Sequence, residues 1–331
     1  AYYNLGNLLK DTRKYDEAII NYRTVLLFNP TYIDTLQNLG FSFQKLDLPE
    51  KAISYFNKIN ILLPNDLKAF YGKNLSLSSH VPQWHIPMMN DVPRNNAYFN
   101  ALKATIDEST TVLDIGTGSG LLSMLAAKCG TKKKIVTCEM TPIIAKTALE
   151  IININGFSEA IDVITKESTK LEVGKDLEAP VDLVVSEIIS NEFLGEGVIE
   201  TIEDAKNRLL APNGIMIPDA GSIMINLIGG KTFCKEFFVN DVMGFDLSKF
   251  NKIVARKTNF TGPNSFIEKT KIKFLAEDTV AFTFEFNENN IFPSERKILE
   301  IPIIRSGYCS GVMQWIYLCL FEDITFENHP K

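Results

Sequence analysis

Two glutamates nine residues apart, Glu187 and Glu196, are the side chains most ready for chemistry. Glu187 follows the apolar run Val181–Ser186, which reads as a buried strand, so its carboxylate is expected at the mouth of a sheet. If the intervening segment loops back, the two carboxylates converge on one spot. Such a pair can share a proton, bind a metal or grip a cation. The metal reading lacks further ligands, and proton sharing of the hydrolase kind lacks the cleft aromatics that would accompany it. A guanidinium fits best, being planar, permanently charged and suited to paired hydrogen bonds from carboxylates. The bland alternative is a solvated acidic loop.

A second group of residues points to what the cation would meet. Residues 112–120, Val-Leu-Asp-Ile-Gly-Thr-Gly-Ser-Gly, read as a strand entering a tight glycine turn, with a helix opening at Leu121. Glycines 116, 118 and 120 allow a sharp turn and close approach to a ligand. A dinucleotide fingerprint would need glycine at 121, which is leucine. The pattern Asp-x-Gly-x-Gly-x-Gly instead resembles the first motif of class I methyltransferases, which bind S-adenosylmethionine. Glu139 ends the next expected strand, 23 residues after Gly116, where an acidic side chain can accept both ribose hydroxyl protons. Arg94 lies just before an expected helix over 95–107. From there it can reach the carboxylate of an amino-acid cofactor, or it is simply a solvated arginine.

These residues need a sheet to hold them. Strands are expected at 111–115, 134–138, 160–165, 181–186 and 214–228, with helices at 120–129, 142–155 and 198–210. Alternation of this kind predicts a doubly wound α/β domain with ligands at the carboxyl ends of its strands. Further on, strand-like runs at 271–275, 280–286, 299–304 and 314–322, with turns at Gly262-Pro263, Asn289-Asn290 and Ser310-Gly311, predict an antiparallel β-barrel or sandwich. Ahead of the α/β part, Leu5-Gly6, Ala18, Tyr22 and Pro30 recur 34 residues later as Leu39-Gly40, Ala52, Phe56 and Pro64. That period predicts tetratricopeptide repeats, two full and one partial. The partial unit opens at Ala69-Phe70-Tyr71 and is expected to lose the glycine. The expected domains are therefore α-helical repeats over 1–78, a Rossmann-like methyltransferase domain with its join over 79–228, and a β-barrel over 229–331.

Composition sets limits on all of this. The 331 residues are 45% hydrophobic and 22% charged, with net charge −6, which argues against non-specific nucleic-acid binding. Five cysteines without a C-x-x-C pair and three histidines argue against zinc, and the thiols read as reduced, placing the chain in the cytoplasm or also the nucleus. No apolar run reaches the about 20 residues of a membrane span. The chain opens at Ala1 without a methionine, so truncation is expected.

Taken together, residues 80–331 resemble the protein arginine methyltransferases. The resemblance rests on residues 88–98 (Met-Met-Asn-Asp-Val-Pro-Arg-Asn-Asn-Ala-Tyr), 112–120, 137–139 (Thr-Cys-Glu), the glutamates of 186–196, 217–220 (Ile-Pro-Asp-Ala) and 243–248 (Met-Gly-Phe-Asp-Leu-Ser). Gly195-Glu196-Gly197 and the repeats in front resemble the repeat-fused branch of that family. The resemblance implies methyl transfer from S-adenosylmethionine, leaving S-adenosylhomocysteine, to arginine of a protein substrate that the repeats help to dock. Monomethyl and symmetric dimethylarginine are the implied products, with no metal, nucleic acid or membrane involved. By the same resemblance, Gly116 and Gly118 line the cofactor, with Asp114 bracing their loop. Glu139 would hold its ribose, Arg94 its carboxylate, and Glu167 and Ser168 its adenine. Glu187 and Glu196 would clamp the guanidinium, while Met88 would shape the product. Two departures stand out. The family often has an acidic residue where Thr169 stands, and its Thr-His-Trp loop is missing: Trp84-His85 has the reverse order, and His329 is followed by Pro330. Truncation explains the second departure; the alternative is a repeat scaffold carrying an inactive methyltransferase module.

Overall fold

The computed structural model describes residues 1–230, 238–253, 272–288 and 291–330. The expected turns at Gly262-Pro263 and Asn289-Asn290, and Cys234, lie outside the described residues. The chain forms two compact units, residues 1–88 with 141–143, and residues 89–140 with 144–331.

The first unit is a helical array of α1 (Tyr2–Asp11), α2 (Tyr15–Phe28), α3 (Ile33–Lys45), α4 (Pro49–Leu62) and α5 (Leu67–His80), followed by the short α6 (His85–Met89). The 34-residue period works through glycine and ring pairs. A Cβ on Gly6 would lie 2.6 Å from the Tyr22 ring, and one on Gly40 would lie 2.6 Å from the Phe56 ring. The missing methyls let α1 and α3 close onto α2 and α4, burying Tyr22 and Phe56 completely. In the closing helix α5 the periodic position is Asn74, and Gly72, two residues before it, brings its backbone close to the same Phe56 ring.

The second unit starts with α7 (Val92–Thr105). This helix begins three residues earlier than the expected 95, so Arg94 lies in its first turn rather than ahead of it. The cause is local: Asp91 caps the helix by accepting the Arg94 amide at 3.1 Å, and a proline occupies the first turn. Then β1 (Val112–Ile115), α8 (Leu121–Lys128), β2 (Ile135–Cys138), α9 (Pro142–Ile154), β3 (Ile161–Ile164), β4 (Val181–Ser186), α10 (Val198–Arg208) and β5 (Leu210–Ile217) form a parallel sheet in the order β3-β2-β1-β4-β5. The strand order reverses between β1 and β4, which is where such sheets open a crevice.

The run expected as one strand over 214–228 is two, β5 and β6 (Ala220–Gly229). Pro218 cannot extend the ladder, and the Asp219 amide turns to the Cys319 carbonyl at 2.9 Å, which carries the chain into a second sheet. After a small hairpin of β7 (Asp241–Val242) and β8 (Phe245–Asp246) come β9 (Lys273–Phe274), β10 (Thr279–Glu285), β11 (Cys309–Phe321) and β12 (Ile324–Glu327). They form a barrel-like antiparallel sheet along β10-β6-β11-β12, with β9 on β6. The expected strand at 299–304 is only an isolated bridge between Ile303 and Ala276; Pro302 has no amide to give to a ladder. Ser310-Gly311 is not a turn but a register shift inside β11. One buried cluster joins both sheets, from Val112 and Leu183 to Phe286, Ile316 and Leu318.

Candidate functional site

Register builds the site. Ile115 at the end of β1 pairs with Cys138 at the end of β2 and with Ser186 at the end of β4. Three strands therefore finish level, and the next residue of each is Gly116, Glu139 and Glu187. Three chemistries far apart in sequence share one edge because their strands have matched ends.

The glycine loop is fixed from below. Gly116, Gly118 and Gly120 have φ of +86°, +52° and +78°, a region that side chains disfavour. The amides of Gly116 and Thr117 both donate to the Cys138 carbonyl at 3.0 Å. Asp114 is fully buried under the loop and accepts the Ser123 hydroxyl of α8 at 2.5 Å. Burial pushes its carboxyl up to about 7, although hydrogen bonds from Ser123 and Thr137 pull the other way. Thr137 also donates to the Asp114 carbonyl at 3.0 Å and lies 2.7 Å from the Thr117 hydroxyl. Asp114 thus braces the loop from inside and does not face the crevice.

Above the loop, Glu139 is buried and its carboxylate accepts the Gly118 amide at 3.2 Å. A Cβ on Gly118 would meet nothing nearer than the Gly116 oxygen at 3.9 Å, so the loop faces open space there. Along the same edge, the Ser186 hydroxyl is buried without a hydrogen-bond partner among the described residues. A glycine loop facing open space, a poised carboxylate and a buried hydroxyl fit a nucleoside with a polar amino-acid tail.

Arg94 and Glu187 are brought together. The guanidinium Nη2 lies 3.3 Å from the Glu187 Oε2, with side-chain exposures of 7% and 14%. Tyr98, one turn along α7, donates its hydroxyl to the Ser186 carbonyl at 3.2 Å and lies 5.8 Å beneath the Arg94 guanidinium. Burial first, then the Glu187 charge, holds the Tyr98 hydroxyl far above its ordinary value, so it stays a donor. Tyr98 has no role in the sequence reading; its i+4 spacing from Arg94 is the signal that would have found it.

The adenine-side residues sit on a 3-10 turn, Ser168–Lys170. Ser168 is buried, and Arg208 of α10 donates to the carbonyls of Thr169 and Leu171 at 3.1 and 2.8 Å. Glu167 instead pairs with Lys170 at 2.7 Å, on the outside of the turn. Hydrogen bonds from Lys170 and Thr169 lower its carboxyl from the ordinary value. Met88 lies in α6, within the first unit.

The glutamate loop has its own anchors. Ile188 packs on the glycine loop: a Cβ on Gly116 would come 2.8 Å from its Cγ2. Phe193, fully buried, has a left-handed φ of +64° and sends its ring into the barrel-like sheet. Glu196 lies on the 3-10 turn Gly195–Gly197 that opens α10, and its side chain lies outside the described residues.

Comparison with known proteins agrees with this geometry. A family described as ribosomal protein L11 methyltransferase (PrmA) matches residues 96–221, and the tetratricopeptide repeat family matches 1–32. An arginine N(omega)-methyltransferase of Streptomyces achromogenes is 37% identical over 251 residues, covering 76% of this chain and 68% of that protein. Mouse protein arginine N-methyltransferase 9 is 32% identical over 329 residues, covering 89% of this chain but 38% of its own length. Among solved structures, the Trypanosoma brucei PRMT1 enzyme–prozyme heterotetramer with AdoHcy superposes with a TM-score of 0.60 at 22% identity, covering 77% of this chain and 79% of that one. Sheet order, matched strand ends and these relatives agree: the chain belongs to the protein arginine methyltransferase family.

Proposed function

We propose that this protein methylates the guanidinium of arginine with S-adenosylmethionine as donor. The observation that carries this is the level ending of β1, β2 and β4, which sets the glycine loop, Glu139 and Glu187 side by side. The pairing of Arg94 with Glu187 at 3.3 Å adds that this carboxylate accepts a guanidinium in its present position.

When bound, the cofactor supplies an electrophilic methyl on a sulfonium. The chain's residues supply position and charge. Glu139 would accept the ribose hydroxyls, the loop at Gly116 and Gly118 would line the cofactor, Ser168 and, from the outer side of the same turn, Glu167 would border its adenine, and Arg94 would take its carboxylate. Glu187 and Glu196 hold the substrate guanidinium. A guanidinium nitrogen is a poor nucleophile because its lone pair is delocalised. Two carboxylates concentrate positive charge on the nitrogens they bind and leave the third richer in electron density, aimed at the methyl. With that donor bound, the methyl would pass from sulfur to the guanidinium nitrogen, and Glu187 would take the proton the substrate loses or relay it to water. By the family resemblance Met88 limits further methylation, with monomethyl and symmetric dimethylarginine as products.

The repeats suit a protein substrate, since solenoid faces bind extended peptides. A second reading takes free arginine as acceptor; the Streptomyces relative, whose name specifies arginine alone, favours it. The test is transfer of labelled methyl to arginine-bearing proteins and, separately, to free arginine, followed by hydrolysis and separation of the methylarginines. Label in protein as monomethyl and symmetric dimethylarginine supports the first reading. Label in free arginine alone supports the second. Asymmetric dimethylarginine rejects the product assignment. No label, with S-adenosylhomocysteine still bound, turns the reading to a repeat scaffold with an inactive module.

A further inference from the structure

The glutamate loop, residues 187–197, cannot hold its shape through its own backbone. Within it the amide of Phe193 donates to the Ser190 carbonyl at 2.8 Å and that of Leu194 to the Glu192 carbonyl at 2.8 Å, which makes a tight local curl and no ladder. Phe193 sits at the apex with φ +64°, a conformation that an aromatic residue adopts only when its surroundings enforce it. The enforcing surroundings are in the other sheet. Phe193 is 0% exposed, its ring stacks on Phe284 of β10 at 4.8 Å between centroids, and Phe286 lies at 6.2 Å. The ring enters over Gly221 of β6, where a Cβ would lie 2.5 Å from its Cε2 and Cζ. Two polar ties flank it: Asn328, just past β12, donates to the Asn191 side chain at 2.7 Å, and Gln314 of β11 donates to the Asn191 carbonyl at 3.4 Å.

We infer that Phe193, seated in the notch left by Gly221, is the positioning residue that sets the glutamate loop beyond Glu187 for arginine, so that the barrel-like sheet shapes the loop whose start β4 fixes. The inference rests on the proposed function for its kinetic readout and on structure alone for its exchange readout. Geometry makes the role specific. A methyl at position 221 collides with the two ring atoms farthest from the Phe193 backbone, so it lifts the apex of the loop and leaves the glycine loop untouched. Leucine at 193 lacks those two atoms and removes their collision, leaving the milder contact with the Leu318 Cδ2 at 3.1 Å.

The test uses the full chain in three forms, Gly221→Ala, Phe193→Leu and the double variant, beside Gly116→Ala. For Gly221→Ala, KM for an arginine peptide is expected to rise about tenfold or more, while the dissociation constant of S-adenosylhomocysteine stays within about twofold. The double variant is expected to recover most of that loss. Gly116→Ala, which meets Ile188 from the cofactor side, is expected to weaken both ligands. Amide exchange read on the same proteins is expected to show faster exchange at 188–197 in Gly221→Ala with unchanged protection at 112–120. Equal loss of both ligands in Gly221→Ala, no recovery in the double variant, or unchanged exchange at 188–197 overturns the inference. If the parent protein transfers no methyl, the functional reading fails, and the exchange and S-adenosylhomocysteine measurements still decide the positioning role. Thermal melting confirms that each variant is folded before either is read.

Discussion

The two loops that meet where β1 and β4 end are built by opposite means. The glycine loop is held by its own sheet: the Cys138 carbonyl and the Glu139 carboxylate beside it take its amides, and the buried Asp114, to which the Ser123 and Thr137 hydroxyls donate, braces it from beneath. The glutamate loop borrows its shape from a different sheet, through Phe193 over Gly221 and through Asn191 with Asn328, 137 residues away. One loop is prepared by local geometry and the other by tertiary packing. Cofactor recognition by the first should therefore withstand changes that disable the second. Arg94 is the bridge between them, lying on α7 and ion-paired with Glu187.

The largest expected effect tests that separation at its centre. Glu187→Gln keeps the shape of the side chain and removes its charge, so the guanidinium loses its charge-assisted partner. Methyl transfer is expected to fall by about a hundredfold or more, as for loss of one electrostatic stabiliser in a catalytic site. Affinity for S-adenosylhomocysteine, measured by titration calorimetry, is expected to fall by less than about tenfold, because the amide oxygen that replaces the carboxylate can still accept a hydrogen bond from the buried Arg94 guanidinium. Comparable loss in both would mean that Arg94 joins the two loops into one unit, and the contrast between them would break.

A smaller effect sharpens the other side. Asp114 belongs to the glycine loop alone, and burial raises its carboxyl to about 7 in the folded chain, against about 3.9 for a free aspartate. With the folded value above the unfolded one, its favourable contribution is complete below about pH 4 and is lost as pH rises to about 7. Asp114→Asn removes that titration. Between about pH 4 and 7 the parent protein is expected to lose stability, on the order of a few kcal/mol, that the variant does not lose. Melting temperatures of the two proteins across that range check it. A parallel pH course in both would show that the carboxyl is already ionised beneath the loop and that the loop tolerates the charge.

The contrast also explains what the sequence made legible. The glycine loop, Glu139 and the parallel strands could be read because each is written in a short run: apolar strand, glycines, and an acid at the next strand end. Glu187 was readable for the same reason. What could not be read depends on pairing between distant segments. Nothing near Pro218 announces that the 214–228 run divides between two sheets, because the partner of Asp219 is the carbonyl of Cys319. An apolar 299–304 looks like a strand until Pro302 leaves it without a ladder, and the Phe193 anchor emerges only once β6 and β10 lie beneath it. Helix α7 was misplaced by three residues because Asp91 and the proline after it outweighed the apolar pattern. Asp114 shows a subtler limit. Its type and place were legible, but only full burial reveals that it serves the loop from within.

The smallest effect at the site is expected from the repeats, and it separates folding from function. In the helical unit Phe56 is wedged between Gly40 and Gly72, whose backbones come close enough that a methyl on either would overlap its ring. Gly72→Ala gains helix propensity, about 0.8–1.0 kcal/mol in an exposed interior, but collides with a fully buried ring. Overpacking of that kind costs about 1–3 kcal/mol, so the collision wins. Gly72→Ala is expected to lower the melting temperature of the helical unit while S-adenosylhomocysteine affinity stays within about twofold, because the glycine loop draws its bonds from its own sheet. Pairing Gly72→Ala with Phe56→Leu, which shortens the ring that the methyl meets, is expected to return part of the lost stability. A fall in S-adenosylhomocysteine affinity that tracks the melting temperature would show that the repeats support the cofactor loop, and the independence claimed for that loop would fail.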